Sequence, residues 1–199
     1  MMIRKISASI VVAVCCASLV IADEKPALPE AQNSAISQLR KSGGQVMELA
    51  QNDSRLNVSF YLAEGKNTDE QLVPLKQLPQ TAELNLRGRD VTNAGLANLK
   101  DLKGLVKLHL EKTKVTDDGL QELKGLENLE YLNLYGTEVT DAGLKHLEGL
   151  KKLKKLYVWQ TRVTDAGAAA LKAALPELKI DLGAEPAKPA EEKKPEEKK

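Results

Sequence analysis

Cysteine is missing from almost the whole chain: Cys15 and Cys16 are the only two, and both lie in the first apolar stretch. Everything after them can form no disulfide and no thiolate metal site and carries no cysteine nucleophile, so stability there must come from packing. Aromatic residues are scarce at 3%, which leaves the core to aliphatic side chains, chiefly leucine. Histidine occurs twice, at His109 and His146, and neither belongs to an H-E-x-x-H pattern. There is no G-x-S-x-G elbow, no G-x-x-x-x-G-K-[ST] phosphate loop and no D-x-D-x-D-G calcium loop. No catalytic residues, cofactor or metal are therefore expected, and Asp117-Asp118 is read as the start of a helix rather than a cation site. A strong excess of either charge is also lacking: 29 basic residues face 28 acidic ones. Neutralising a nucleic-acid backbone needs a concentrated basic face, so nucleic acid is not an expected partner.

The two ends differ from the middle. Arg4 and Lys5 precede an apolar run from Ile6 to Ile21, and Val20-Ile21-Ala22 offers a cleavage site, so residues 1–22 read as a signal peptide. The alternative is a retained anchor, although the run, 16 residues long, falls short of the roughly 20 that span a bilayer. Export to the periplasm or the extracellular space is the resulting expectation, with no stable membrane span after cleavage. Residues 184–199, AEPAKPAEEKKPEEKK, hold five Glu, five Lys and three Pro. Nothing in them can form a core, and a disordered Lys/Glu/Pro tail is expected.

What fills the middle is a repeat. Shifting the chain by 24 residues superposes LVKLHLEKTKVTDDGLQELKGLEN from Leu105, LEYLNLYGTEVTDAGLKHLEGLKK from Leu129 and LKKLYVWQTRVTDAGAAALKAALP from Leu153, with TAELNLRGRDVTNAGLANLKDLKG from Thr81 before them. A degenerate first unit is aligned at the same shift, with Phe60 and Leu62 set against Leu84 and Leu86. ELKIDLG closes the series as a partial unit. Within each unit the leucines first alternate, as in Leu132-Asn133-Leu134, and later recur every third residue, as in Leu144, Leu147 and Leu150. A strand followed by an α- or 3₁₀-helical face is predicted, and one such unit cannot bury its apolar side without stacked neighbours. Residues 57–183 are read as this solenoid. Residues 23–56 are read as a linker and cap, with a helix on Ala31, Ala35, Ile36 and Leu39 and a hairpin from QVMELAQ through NDS to RLNVSFYL.

The pattern L-x-x-L-x-L-x-x-T-x-V-T-D-x-G-L-x-x-L resembles leucine-rich repeats, in particular the 24-residue TDAGL-type repeats of secreted bacterial proteins. The resemblance implies an α/β fold: a right-handed horseshoe solenoid with a parallel sheet on the concave face and short helices on the convex face. Thr113, Thr137 and Thr161 stand where such repeats often carry Asn or Cys, and their hydroxyls are expected to bond loop backbone between turns. In YGTEVTDAGL, Thr140 or Asp141 is the expected helix N-cap, and Gly143 is read as permitting close packing between turns.

All four tyrosines and the one tryptophan fall in the outward columns of the predicted strands. Adjacent strands lie about 4.8 Å apart. Tyr135 should therefore neighbour Trp159, and Tyr157 should lie beside Asn133. With Tyr131 they would make one aromatic patch bordered by Lys155, His109 and Glu111. These seven residues are the candidate partner-binding set, because interfaces concentrate energy in such side chains. The expectation is a secreted, monomeric, non-enzymatic binding or scaffold module whose partner is another protein; a glycan would use the same stacking residues. An inhibitor or regulator of a secreted enzyme is the alternative, and repeat similarity alone would suggest an F-box-like substrate receptor.

Overall fold

Leucines spaced to alternate and then to recur every third residue must reverse direction once per turn, and the computed structural model shows where they do so. It describes residues 28–51, 53–61 and 69–183. The signal-peptide reading of residues 1–22 and the tail reading of 184–199 lie outside these, as do Leu62 and the link to Asp69. The elements are helix α1 (Glu30–Lys41), strands β1 (Gln45–Ala50), β2 (Asp53–Ser59) and β3 (Thr81–Asn85), helix α2 (Asn93–Leu96), β4 (Lys107–His109), α3 (Asp117–Leu120), β5 (Tyr131–Asn133), α4 (Asp141–Leu144), β6 (Lys155–Tyr157), α5 (Asp165–Ala174) and β7 (Lys179–Asp181). Short 3₁₀ segments at Asp69–Gln77, Gln121–Leu123 and Lys145–Leu147 complete the layer opposite the strands. No helix of the described residues is long and apolar enough to cross a membrane.

The seven strands form one sheet in chain order; β1 runs antiparallel to β2, and every later pair is parallel. Leu84, Leu108, Leu132 and Leu156 occupy one row of the ladder, followed by Ile180. This is the layered α/β solenoid that the periodicity implied. Four-residue helices have no stability of their own, and what holds them is the column of Leu96, Leu120 and Leu144 behind the sheet, buried to 2% exposure or less. Each such leucine contributes about 1.5–3 kcal/mol through burial. Ala35, Ile36 and Leu39 of α1 and Val46 of β1 extend the same core at the N-terminal end.

The first turn departs from the 24-residue step. Val58 pairs with Leu84 and Ser59 with Asn85, an offset of 26 residues, whereas Asp69 stands 24 before Asn93. The strand is therefore two residues out of phase with the alignment, and the extra length lies between Phe60 and Asp69. Tyr61 consequently joins the column of Arg87, whose guanidinium sits 5.4 Å from its ring centroid, and not the column of Asn85.

The TDAGL segment turns out to be a brace between turns. Thr140 is the N-cap of α4: its side chain accepts a hydrogen bond from the Ala142 N–H at 3.2 Å. Asp141 does not cap. Its carboxylate reaches forward one turn, where it accepts from the Thr164 N–H at 2.8 Å and the Thr164 hydroxyl at 2.7 Å. Asp117 does the same for Thr140 at 2.7 and 2.6 Å, and Asp69 for Thr92 at 2.9 and 2.6 Å. Asn93 substitutes an amide, accepting from the Thr116 N–H at 3.0 Å and donating to its hydroxyl at 2.8 Å. The glycine column explains itself here: a Cβ on Gly143 would collide with the Asp117 carboxylate, and one on Gly167 with that of Asp141.

The Thr113 column behaves differently from expectation. Its hydroxyls stay within their own turn: Thr113 donates to the Leu110 carbonyl and Thr137 to Leu134, both at 2.7 Å. Backbone N–H groups make the link between turns instead, as from Glu138 to the Val115 carbonyl at 3.2 Å. The residue just before this column is left-handed in each turn: Gly88, Lys112, Gly136 and Gln160 all have φ between 53° and 68°, a conformation that glycine adopts without a side-chain penalty.

Candidate binding face

The odd positions of each strand point away from the leucine core, and parallel pairing in register sets them in rows across the sheet. One row is Glu83, Lys107, Tyr131, Lys155 and Lys179; the next is Asn85, His109, Asn133, Tyr157 and Asp181. Just beyond the strand ends, Arg87, Glu111, Tyr135 and Trp159 follow at the same spacing.

The aromatic side chains meet in two stacks. Tyr135 and Trp159 have ring centroids 5.3 Å apart, tilted by 37°. The second stack is diagonal: Tyr131 lies 4.8 Å from the His109 ring and 5.4 Å from Tyr157. Tyr131 leans along its strand to reach both, and its hydroxyl accepts from the Asn133 amide at 3.3 Å. Burial pushes the Tyr131 phenol above the ordinary tyrosine value; the Asn133 hydrogen bond opposes the shift and the Glu111 charge adds to it. Trp159 is 48% exposed yet held on both sides, by Tyr135 and by the backbone of Gly183, which leaves no room for a Cβ.

Lys155 stands at the head of β6, exposed and beside Tyr131. Glu111 does not border the patch at its surface, because it is 6% exposed. One carboxylate oxygen lies 2.9 Å from His109 Nδ1, placed to accept the ring N–H, and the other is buried with no hydrogen-bond partner among the described residues. Glu111 thus fixes His109 from below instead of offering a contact. Sequence reasoning passed over Lys112, whose ammonium lies 5.6 Å from the Tyr135 centroid, and Lys179, the cross-strand neighbour of Lys155. Lys179 was readable, since it follows Lys155 by one repeat; the Lys112 contact depends on a left-handed backbone that a lysine does not advertise.

Beside the heads of β6 and β7 lies a groove of about 510 Å³ lined mainly by lysines, among them Lys151, Lys152, Lys155 and Lys179. Among the described residues no three His, Cys, Asp or Glu side chains converge as a metal site requires. Stacked rings, amides and ammonium groups on a stiff sheet can grip another surface.

No protein-family model matches the chain, and no curated protein matches it. Among solved structures, the leucine-rich-repeat ectodomain of the receptor kinase SOBIR1 from Arabidopsis thaliana superposes with a TM-score of 0.50 at 15% identity, covering 77% of this chain and 92% of that one. An internalin C2 from Listeria monocytogenes gives 0.43 at 20% identity, with 76% and 81% covered. The internalin inlF of the same species gives 0.44 at 17% identity, and the match spans 64% of this chain but only 41% of that one. The SOBIR1 likeness shows the fold: the chain is a leucine-rich repeat solenoid.

Proposed function

We propose that the sheet face is a protein-binding surface, and that the chain is an exported, monomeric, non-enzymatic binding or scaffold module. The observation that carries this reading is the placement of aromatics. A chain with 3% aromatic residues sets all four tyrosines and its tryptophan on one face, and the core has no use for any of them. Tyrosine and tryptophan held rigid by neighbours lose little freedom on binding, which is why contact energy collects in them. Export rests on the apolar first segment, and the absence of cysteine after it fits a fold stabilised wholly by packing.

The test is capture from the native periplasmic or extracellular fraction on immobilised full-length protein, comparing wild type with Tyr135→Ala/Trp159→Ala. The variant is expected to weaken partner binding by about tenfold or more, since each centrally placed aromatic contributes on the order of 2 kcal/mol. Unchanged capture by a variant with an intact thermal transition would remove the sheet face from the account.

A further inference from the structure

We infer that the segment this face recognises is an acidic polypeptide carrying an aromatic side chain beyond its carboxylates; the inference rests on the protein-binding reading above and narrows it to a chemical class. Three lysines on and near the sheet are neutralised by carboxylates of the chain. Lys107 pairs with Glu83 at 2.6 Å, Lys114 with Asp90 at 2.8 Å and Lys154 with Glu130 at 2.8 Å. Lys155 and Lys179 have no such carboxylate partner among the described residues. They sit directly opposite one another on β6 and β7, and neither ammonium has an ion-pair or hydrogen-bond partner among the described residues. Like charges in that position destabilise a sheet, so the arrangement is one that a bound anion relieves.

Their surroundings reinforce the charge. Lys151 and Lys152 line the same groove; the two carboxylates there are Glu177 and Glu130, and Glu130 is already held below its ordinary range by Lys154. Three features give the ligand a direction. Lys155 heads β6, Tyr157 ends it, and Trp159 follows two residues later. At about 3.3 Å per residue, carboxylates over Lys155 and Lys179 would stand roughly 13 Å from a ring packed on Trp159 and Tyr135. An extended peptide covers that distance in about four residues. A nucleic acid fits poorly, because a patch of a few lysines on a chain of net charge +1 neutralises too few phosphates.

The experiment titrates full-length protein with a fluorescently labelled peptide of four glutamates, a Gly-Ser spacer and a tryptophan. A glutamine version of the peptide and a heparin fragment serve as rival probes. The expected result is measurable binding of the glutamate peptide that weakens steeply as sodium chloride rises, with a loss of about tenfold in Lys155→Glu/Lys179→Glu and less in the alanine pair. Both variants change exposed side chains, and their thermal transitions check the fold. Equal binding of the glutamine peptide, or indifference to the lysine changes, overturns the inference. So does lysine-dependent binding of heparin with none of the peptide, or a lysine-dependent dimer in sedimentation. If the native partner is lost in Tyr135→Ala/Trp159→Ala but retained in the lysine variants, the acidic class falls and the sheet-face reading stands; if neither set matters, both fall.

Discussion

Replacing Asp117 by alanine removes one brace between successive turns and nothing from the leucine core. Two donors lose their acceptor, the Thr140 N–H and hydroxyl, now bound at 2.7 and 2.6 Å. A hydrogen bond to a charged acceptor contributes about 1.5–3 kcal/mol when buried, but Thr140 is half-buried and water can reach part of the gap. Halving for that access leaves about 2 kcal/mol for the pair. Asp117→Asn is expected to cost less than about 1 kcal/mol, because Asn93 already makes the same bridge to Thr116 with an amide. Gly143→Ala attacks the brace from the other side, since its Cβ would strike the Asp117 carboxylate. Urea unfolding followed by circular dichroism gives the three values, and the double variant closes a thermodynamic cycle. Gly143→Ala should cost at least ~1 kcal/mol less in the Asp117→Ala background, the remainder coming from the Asp117 Cα at 3.1 Å. Additivity within about 0.5 kcal/mol, or a cost for Asp117→Ala no greater than for Asp117→Asn, would refute the idea that Asp and Gly act as one device.

Other outcomes are specific enough to check. Gln160→Gly should raise stability by about 0.5 kcal/mol, because a non-glycine residue at φ 54° carries a steric cost that exceeds the unfolded-state entropy of glycine; a lower melting temperature would contradict this. The Asp141 carboxyl is held below its ordinary value, first by the Thr164 backbone N–H and then by its hydroxyl. Its folded pKa lies below its unfolded one, so its contribution is complete above about pH 4 and is lost as pH falls through the folded value. Asp141→Asn should therefore flatten stability against pH below ~4, and an unchanged acid limb in urea titrations would contradict the assignment. Leu132→Ala, at a fully buried position, should cost about 3 kcal/mol in the same urea assay while leaving the sheet-face residues in place.

The repeat made most of this architecture legible, because a 24-residue shift puts chemically like residues on one another and pairing in register then follows, as for Leu108 over Leu132. It also located one of the two stacks: Tyr135 and Trp159 do meet. The diagonal meeting of Tyr131 with His109 and Tyr157 was hidden, since it depends on the lean of a side chain along its strand. Glu111 was misjudged as a surface contact for a similar reason; alternation assigns a side chain to a face but cannot say that it folds beneath a histidine. The first turn defeated the shift because two extra residues stand between Phe60 and Asp69 in the sequence, while the spacing of Asp69 and Asn93 keeps to 24. Asp141 was assigned to its own helix because capping is a local rule, whereas its partner, Thr164, lies one turn on.

Trp159 is the only tryptophan in the chain and, at 48% exposure, reports directly on the face to which binding is assigned. Its fluorescence should be followed while the captured native partner is titrated in, with acrylamide as quencher and a partner free of tryptophan signal by substitution or labelling. A blue-shifted emission and a fall in acrylamide quenching of at least about twofold on saturation are the expected result, since burial of the indole removes it from water. A complex that forms with Trp159 as open to quencher as before would contradict the central claim.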